Sequence, residues 1–360
     1  MEIYKMRIAI DISQIVYGTG VSLYTKKLVE NLLMIDRSDE YILWAGVLRR
    51  KQDVLRTFPQ AKVFPLPPVL ADFVWNRLHI LPIEKFIGRV DVFHSSDWAE
   101  PPSRAFKVTT VHDLIPLKFP KLIHRRILES HIRRLEWVKR ESDRVIVPSK
   151  STMADLINYG VSDEKIRVIP EAGILSRADD GSVSKVKTKY KILGDYLVAF
   201  ASGPYKNIER IKKAFELSAA GKNLKLIIVG RQSVALVKED RNVRLTGFVK
   251  EDERAALLTG SRGLVFASIY EGFGQPILDA FACGVPVVTS NTGSMGEVAG
   301  DAASLVDPNS VASISSGIEK ILRGPKAYVE RGSKRASEFS WQKTADETLE
   351  VYNEAKNTDM

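Results

Sequence analysis

The stretch Gly263–Ser290, GLVFASIYEGFGQPILDAFACGVPVVTS, decides the fold class of this 360-residue chain. An apolar run is followed by Glu271, the glycine loop Gly272–Gly274, a helical pattern from about Gln275 and a second apolar run. This order predicts two buried parallel strands joined by a helix, the repeating unit of open α/β sheets. Glu271 would lie at the carboxyl end of its strand, where such sheets bind ligands, and Asp279 one turn inside the helix. The glycines would let backbone approach a ligand closely, and a helix N-terminus favours an anion.

The same alternation runs through the whole chain and predicts two α/β domains. Thirteen short apolar runs alternate with helical patterns, seven before residue 170 and six after residue 195. The polar segment Glu171–Tyr190 has no apolar period and is interpreted as the linker. We therefore predict domains at residues 1–172 and 190–339, with a final amphipathic helix at 340–360. Two Rossmann-like domains facing a central cleft are expected, because both sheets would present their carboxyl ends to a ligand.

Composition narrows the class of protein. Hydrophobic residues make up 44% of the chain and charged residues 27%, which is typical of a globular protein. The sequence has no long apolar run that could span a membrane, and its start, MEIYKMRIAID, lacks an apolar signal region, so secretion is not expected. The single cysteine, Cys283, excludes an internal disulfide and favours a cytoplasmic setting. The five histidines show no pair at metal-ligand spacing, so no metal centre is expected.

Residues 121–150 carry a concentration of positive charge, with nine basic and four acidic residues. Leu128, Ile132, Leu135 and Val138 form an apolar stripe on the helix predicted there. Two interpretations stay open. The stripe packs on the core below a solvated basic face, or the helix rests on an anionic membrane surface or faces a phosphorylated acceptor. Nucleic acid is not an expected partner, because no recognised nucleic-acid-binding motif accompanies the charge.

The segment that begins at Glu271 resembles the signature of the retaining GT-B glycosyltransferases, in the large family that includes many mannosyltransferases. The family pattern is Glu, seven residues, Glu, with Gly-Phe-Gly after the first Glu; this chain has Glu271, seven residues and Asp279. The resemblance implies a GT-B fold whose C-terminal helix returns to the first domain. It also implies that Glu271 orients sugar hydroxyls and that Asp279 contacts the ribose. The residues that it places around the donor are Glu271, Gly272, Phe273, Gly274, Gln275 and Asp279.

The segment from Ser202 to Lys206 follows the first strand of the second domain and resembles the diphosphate-binding part of the family. A lysine at a helix start has the wrong sign for the helix dipole, so an anionic ligand explains Lys206 better than a solvated position does. Family members add an arginine at one of two positions, which here are Ala201 and Tyr205. One cation is therefore missing, and Arg231, at another strand end, is a candidate replacement.

Three other loops match parts of the family that surround the donor. Gly20 follows the first strand, and the family's Gly-x-Gly reads Gly20-Val-Ser22 here. His112, in the loop HDLIPLKFP, closes a buried strand; taken alone it is as much a structural histidine as a ligand contact. The resemblance implies that it reaches the donor sugar from the first domain. The backbone near Val249 would pair with the nucleobase edge, which does not distinguish uracil from guanine.

The sequence thus predicts a metal-independent, retaining glycosyltransferase that moves a hexose from a nucleotide-diphosphate sugar to a saccharide or lipid-linked saccharide. Lys206, Glu271 and His112 are the expected catalytic residues, and no cofactor is expected besides the co-substrate. A mannosyl donor with guanine is the first expectation, because HDLIPLKFP and FSWQKTADETLEVY resemble mannosyltransferases that extend surface polysaccharides; glucosyl and rhamnosyl donors stay open. The alternatives are a non-catalytic nucleotide-sugar-binding protein and a nucleotide-sugar epimerase. The expected location is cytoplasmic, with peripheral contact at the inner membrane face as an open alternative.

Overall fold

The computed structural model describes residues 5–230 and 237–357, which form two compact units. One unit runs to Glu171 and includes the chain from Trp341 onward, and the other is Ala172–Ser340. We call them domain 1 and domain 2. Each of the thirteen strands predicted from the sequence is present, seven of them before residue 170 and six after residue 195. The prediction of two parallel-sheet α/β domains is confirmed.

Domain 1 contains a seven-stranded parallel sheet with the strand order β3-β2-β1-β4-β5-β6-β7. Its strands are β1 (Arg7–Asp11), β2 (Glu40–Gly46), β3 (Lys62–Phe64), β4 (Val92–Ser95), β5 (Phe106–Thr110), β6 (Arg144–Val147) and β7 (Ile166–Val168). The strand order reverses between β1 and β4. The carboxyl ends of these two strands therefore flank the crevice in which an open α/β sheet binds ligands.

Domain 2 contains a six-stranded parallel sheet with the order β10-β9-β8-β11-β12-β13. Its strands are β8 (Tyr196–Phe200), β9 (Lys225–Val229), β10 (Val243–Gly247), β11 (Leu264–Phe266), β12 (Val287–Ser290) and β13 (Ser304–Val306). The order reverses between β8 and β11, so their carboxyl ends flank the equivalent crevice. Side chains on both faces of the four central strands, β9, β8, β11 and β12, are buried, as expected for parallel sheet covered by helices.

Helices cover both sheets. Those of domain 1 are Gly20–Ile35, Lys51–Thr57, Pro68–Ala71, the π-type helix Asp72–Arg77, Glu84–Ile87, Ile115–Lys118, Arg125–Glu141, Lys150–Tyr159 and Trp341–Asn353. Those of domain 2 are Asp180–Lys189, Ile208–Leu217, Ala220–Asn223, Glu251–Thr259, Gln275–Ala282, Gly293–Ala299, Val311–Arg323 and Pro325–Ala336. Within the described ranges, no helix combines the length and the apolar character that a membrane span requires.

The C-terminal helix Trp341–Asn353 packs on domain 1, as the sequence resemblance implied. The Trp341 ring lies 5.8 Å from the ring of Tyr24, which is on the helix that follows β1. The Tyr352 hydroxyl lies 2.6 Å from Nδ1 of His94, at the end of β4. These buried contacts tie the last helix to the sheet of domain 1.

The interpretation of Glu171–Tyr190 as a linker is wrong over its last part, because Asp180–Lys189 is a helix of domain 2. Asp179 caps this helix by accepting a hydrogen bond of 2.8 Å from the Ser182 N–H. Val186 is buried in the core of domain 2. An N-cap and one buried valine stabilise the helix, and neither produces an apolar period in the sequence.

The burial of the helix Arg125–Glu141 decides between the two interpretations of the basic region for part of its length. Leu135 and Val138 are buried in the core of domain 1, so the apolar stripe packs inward over the second half of the helix. Ile132 is exposed, and so is Ile127 in the first half of the helix. The core-packed interpretation is therefore confirmed only for the second half.

Candidate functional site

Lys206 and Glu271 meet at the switch point of the domain 2 sheet. The Lys206 Nζ lies 2.7 Å from Oε1 of Glu271, and the two side chains are only 10% and 11% exposed. The ammonium group also lies 4.7 Å from the centre of the Phe266 ring. Lys206 follows β8 and Glu271 follows β11, so the sheet brings together residues that are 65 positions apart. A cation and a carboxylate at this edge suit a ligand that carries both phosphate and hydroxyl groups.

Two helices begin at this edge without a side-chain cap. The helix Ile208–Leu217 follows Asn207, whose side chain does not cap it and donates instead to the carbonyls of Ala267 and Pro308, at 2.9 and 2.6 Å. The helix Gln275–Ala282 follows Gly274, which adopts a left-handed φ of 111° and has no side chain. First-turn N–H groups that lack a side-chain cap favour an anionic ligand.

The remaining predicted residues of domain 2 differ in what they can offer a ligand. Ser202, two residues after the end of β8, is exposed. The Phe273 side chain is buried against Phe339, with ring centres 6.1 Å apart, so only the backbone of Phe273 and Gly272 can face a ligand. Val249 is likewise buried in the core, which leaves its backbone. Gln275 extends its amide to within 3.4 Å of the Ala172 carbonyl oxygen.

The Asp279 carboxyl is buried and accepts hydrogen bonds from the backbone that follows the domain boundary. Its Oδ1 accepts hydrogen bonds from the N–H groups of Ile174 and Leu175, at 2.8 and 3.1 Å. Burial raises the pKa of Asp279 to about 6, although these two bonds act in the opposite direction. The carboxyl therefore holds the segment around Ile174 in place, a role that the sequence did not indicate. The predicted ribose contact stays a prediction.

His112 follows β5 in domain 1 and is paired through only one ring nitrogen. Its Nδ1 lies 3.1 Å from Oε1 of Glu171, and the Tyr24 ring packs edge-on against the imidazole at 4.5 Å. The Nε2 is buried, and no hydrogen-bond partner for it exists among the residues that the structure describes. Burial alone would lower the pKa of His112, but the hydrogen bond and charge of Glu171 outweigh it and raise the pKa. One ring nitrogen is thus available for a ligand.

Gly20 begins the helix Gly20–Ile35, also in domain 1, and the N-terminus of this helix is closed. Thr19 Oγ1 accepts a hydrogen bond from the Ser22 N–H at 3.3 Å, and Ser22 Oγ accepts one from the Thr19 N–H at 3.2 Å. The serine that replaces the family's second glycine therefore completes a capping box. The N-terminus of this helix is therefore less suited to binding an anion than the two uncapped N-termini in domain 2.

A pocket of about 570 Å³ in domain 1 was not anticipated from the sequence. Asp11, at the carboxyl end of β1, lines it and accepts hydrogen bonds from the Ser13 N–H at 2.9 Å and from the Ser13 hydroxyl. Burial raises the pKa of Asp11 to about 6, against those bonds. Tyr17 and Trp98, both partly exposed, line the same pocket with ring centres 6.0 Å apart. Aromatic rings beside a carboxylate can bind a saccharide, and the position of Asp11 at a strand end could have indicated it.

Ser268 is a further residue that the sequence did not single out. It lies two residues after the end of β11, is fully buried, and its hydroxyl has no hydrogen-bond partner in the described part of the chain. Arg231, the candidate replacement for the missing family arginine, lies outside the described residues. Within residues 5–230 and 237–357, no three His, Cys, Asp or Glu side chains cluster in a way that could hold a metal ion.

Both halves of the chain match models of known families. The family described as "Glycosyl transferases group 1" matches residues 188–338, and the one described as "Glycosyltransferase Family 4" matches residues 20–172. Together the two matches cover most of the chain. The chain belongs to the group 1, family 4-like glycosyltransferases.

Individual relatives agree with this assignment. The glycosyltransferase is 28% identical to "O-antigen chain mannosyltransferase B" of Escherichia coli, over 72% of this chain and 74% of that protein. It is 29% identical to "Serotype-specific mannosyltransferase WbdA" of Escherichia coli over 68% of this chain, but the match spans only 33% of that longer protein. Its fold is similar to that of HepE from Anabaena, solved with UDP and glucose, with a TM-score of 0.73, 16% identity and coverage of 97% and 100% of the two chains.

Proposed function

We propose that this glycosyltransferase transfers a hexose, with mannose as the first candidate, from a nucleotide-diphosphate sugar to an acceptor hydroxyl, with retention of anomeric configuration. The observation that carries the proposal is the Lys206–Glu271 pair, whose two residues each precede a helix with an uncapped N-terminus, in a chain of this family. This arrangement combines positive charge for a diphosphate with a carboxylate for sugar hydroxyls.

In the proposed reaction, the bond between the anomeric carbon and the β-phosphate oxygen breaks and a bond to the acceptor oxygen forms. The acceptor attacks from the face that the diphosphate leaves, and its hydroxyl proton goes to a diphosphate oxygen. Negative charge grows on the β-phosphate as the first bond breaks. Lys206, the glycine-loop backbone and the helix dipoles stabilise that charge, so the proposal includes no metal ion. Glu271 orients hydroxyls of the transferred sugar.

His112 and Asp279 have subsidiary roles in this proposal. The buried Nε2 of His112, which lacks a described partner, would donate to a hydroxyl of the donor sugar. Asp279 would contact the ribose and the backbone near Val249 the nucleobase, while Gln275 would contact the donor beside the glycine loop. Mannose as the transferred sugar is supported by the mannosyltransferase relatives, and guanine is the base that we propose with it. The UDP and glucose bound to HepE keep uracil and glucose as a second candidate pair.

We further propose that the acceptor, a saccharide or lipid-linked saccharide, binds in the domain 1 pocket. Asp11 would accept a hydrogen bond from an acceptor hydroxyl, and the rings of Tyr17 and Trp98 would pack against sugar faces. A pocket of about 570 Å³ is large enough for one or two sugar units. A cytoplasmic location belongs to the same proposal.

The first test is a thermal-shift panel with GDP-mannose, UDP-glucose and dTDP-rhamnose. A donor present at tens of times its dissociation constant should stabilise the protein by about 2 kcal/mol. The Lys206→Ala variant should show a smaller shift with the same donor. A panel in which no nucleotide sugar produces a shift would contradict a donor site.

Release of nucleoside diphosphate, measured with and without a mannose-terminated oligosaccharide, separates this proposal from its alternatives. A transferase releases diphosphate in proportion to the glycoside formed. A non-catalytic binding protein releases none, and an epimerase leaves the diphosphate on its sugar. Nuclear magnetic resonance of the glycoside would show an unchanged anomeric configuration; an inverted product would contradict the retaining mechanism.

A further inference from the structure

Glu171 is the last residue of the first part of domain 1, and its carboxylate lies against the ring of His112. Oε1 of Glu171 lies 3.1 Å from Nδ1 of His112, and the two side chains are only 11% and 9% exposed. An ionised carboxylate accepts hydrogen bonds and donates none, so Nδ1 must carry the hydrogen of this bond. In the sequence Glu171 begins the segment interpreted as the linker, and only the structure shows that it is the partner of a buried histidine.

The second ring nitrogen of His112 determines what the ring can offer a ligand. Its Nε2 is buried, and none of the described residues forms a hydrogen bond with it. In a neutral ring, Nε2 would carry a lone pair, because Nδ1 holds the only proton. In an imidazolium, Nε2 would carry a second N–H group. The charges around the ring therefore determine whether this buried nitrogen accepts or donates a hydrogen bond.

The charged groups that act on His112 are acidic and come from several elements. Asp113 is the next residue in the chain, Asp97 comes after β4, and Glu171 comes after β7. Asp97 also pairs with Arg134 at 3.1 Å, so Glu171 is the carboxylate that neutralises the ring most directly. Burial lowers the pKa of His112, but the hydrogen bond and charge of Glu171, together with the two aspartates, outweigh it and raise the pKa above its ordinary value of 6.5.

His94 provides a comparison at the end of the neighbouring strand, β4. It is also buried, but its Nδ1 lies 2.6 Å from the Tyr352 hydroxyl and its Nε2 lies 2.9 Å from Oγ1 of Thr110. Neither partner is a carboxylate, and hydroxyl groups satisfy a neutral ring. Burial, followed by the charges of His112 and Arg134, lowers the pKa of His94 to about 3. Burial alone thus leaves a histidine of this domain neutral, and a carboxylate partner is what distinguishes His112.

Three further residues fix the geometry of the pair. The Tyr24 ring packs edge-on against the imidazole at 4.5 Å, and burial raises the pKa of its hydroxyl, so it stays neutral. Trp341, at the start of the C-terminal helix, packs against the same tyrosine at 5.8 Å. On that helix, Thr344 donates to the Pro170 carbonyl at 2.7 Å, immediately before Glu171. The C-terminal helix therefore supports both the histidine and the carboxylate.

We propose that Glu171 is a positioning residue that holds His112 as an imidazolium and fixes its orientation. Its carboxylate accepts from Nδ1–H, so the buried Nε2–H becomes a charged hydrogen-bond donor. This role rests on the proposed function, in which Nε2–H donates to a hydroxyl oxygen of the transferred sugar. A charge-assisted hydrogen bond is roughly twice as strong as a neutral one, so binding of the sugar should depend on the charge of Glu171. Binding should weaken as the pH rises through the pKa of His112.

The first experiment measures His112 directly in the ligand-free full chain. Long-range nuclear magnetic resonance spectra of the ring nitrogens, recorded over a pH series, follow the protonation of both nitrogens. In the wild type, both should carry hydrogen up to a pH above 6.5, and Nδ1 should keep its hydrogen beyond it. Glu171→Gln should lower the pKa of His112, whereas Glu164→Gln, which removes an exposed carboxylate of the same domain, should not. His94 should stay neutral in all three proteins, which also shows that they are folded.

The second experiment connects this protonation state to the sugar. Calorimetric titration compares a nucleotide sugar with the matching nucleoside diphosphate, which lacks the group that His112 would contact. Glu171→Gln should weaken binding of the nucleotide sugar about tenfold or more, as the loss of a hydrogen bond to a charged group does, and leave the nucleoside diphosphate unaffected. Glu171→Asp keeps the charge and should recover part of the loss. Adding Glu171→Gln to His112→Gln should cost little more, because both act through one nitrogen.

The inference and the proposed function fail in different ways. A pKa of His112 at or below 6.5 in the wild type, or one that Glu171→Gln leaves unchanged, would overturn the inference whether or not a nucleotide sugar binds. Equal losses of affinity for nucleotide sugar and nucleoside diphosphate in Glu171→Gln would also overturn it, because they would indicate a purely structural role. If His112 is an imidazolium but the wild type binds no nucleotide sugar, the charged pair is confirmed and the proposed function is wrong.

Discussion

The two sheets place different chemistry at the same topological position. At the switch point of domain 2, the helices that follow β8 and β11 start without side-chain caps, and the paired residues Lys206 and Glu271 precede them. At the switch point of domain 1, the helix after β1 is closed by the capping box of Thr19 and Ser22, and Asp11 lies at the strand end. Open helix ends and a cation favour phosphate, whereas a capped helix end and a carboxylate favour hydroxyl groups. Side chains at strand ends, and not the shared architecture, thus determine which ligand each domain suits.

The largest expected effect concerns Lys206. Lys206→Ala should lower turnover on the order of 100-fold or more, because it removes a preorganised positive charge from the leaving diphosphate. Lys213→Ala, an exposed lysine on the helix that follows Lys206, is the matched control and should leave turnover unchanged. Steady-state kinetics with the preferred donor provides the measurement. Wild-type turnover in Lys206→Ala would remove the distinction between the two sheet edges.

Asp11 tests whether the sheet edge of domain 1 binds the acceptor. Asp11→Asn should weaken acceptor binding roughly 10- to 100-fold, the value of a hydrogen bond to a charged group, and leave donor binding unchanged. Michaelis constants for both substrates measure this. If the Michaelis constant for the donor changed and that for the acceptor did not, the assignment of donor and acceptor to the two sheet edges would be reversed.

The same variant should alter how stability depends on pH. Burial raises the pKa of Asp11 from 3.8 to about 6, so its contribution to stability is fully present below pH 3.8 and is lost as the pH rises through 6. Between pH 4 and pH 7, the unfolding free energy of the wild type should therefore fall by on the order of 3 kcal/mol more than that of Asp11→Asn. Denaturant titrations at several pH values would show it; parallel curves for the two proteins would contradict it.

Asp279 separates structural support from ligand binding within domain 2. Asp279→Ala should lower the unfolding free energy by about 1–3 kcal/mol, because it leaves two buried backbone N–H groups without an acceptor. If the ribose contact also exists, the donor Michaelis constant should rise while turnover stays nearly constant. Asp279→Asn keeps an oxygen that can accept both bonds and serves as the control. An unchanged donor constant would exclude the ribose role, and unchanged stability would exclude the structural one.

The smallest expected effect concerns the capped helix of domain 1. Thr19→Ala should cost about 1 kcal/mol of stability, as the loss of an N-cap usually does, without changing donor affinity. Ser22→Gly, which restores the family's residue, should remove the reciprocal hydrogen bond at a similar cost. Denaturation and nucleotide-sugar titration provide the two measurements. Tighter nucleotide binding in Ser22→Gly would show that this helix end is also an anion site.

The sequence determined the elements of the fold and the loops that carry the candidate donor site. Apolar runs between helical patterns predict parallel strands because both faces of such strands are buried, and all thirteen were found in this way. The helix Asp180–Lys189 was missed, because a cap and one buried valine leave no periodic signal. Lys206, Glu271 and the glycine loop were predicted from local context, since strand ends and helix starts are local features.

Tertiary structure alone decided which residues meet. Glu271 is 65 residues from its partner Lys206. Asp279 is 105 residues from Ile174, whose N–H donates a hydrogen bond to it. Asp11 became part of a pocket only through segments that follow other strands, and Val69 is exposed whereas Trp75, six residues later, is buried in the core. Hydrogen bonds and burial depend on distances in space, whereas a sequence pattern reports only the periodicity of its own segment.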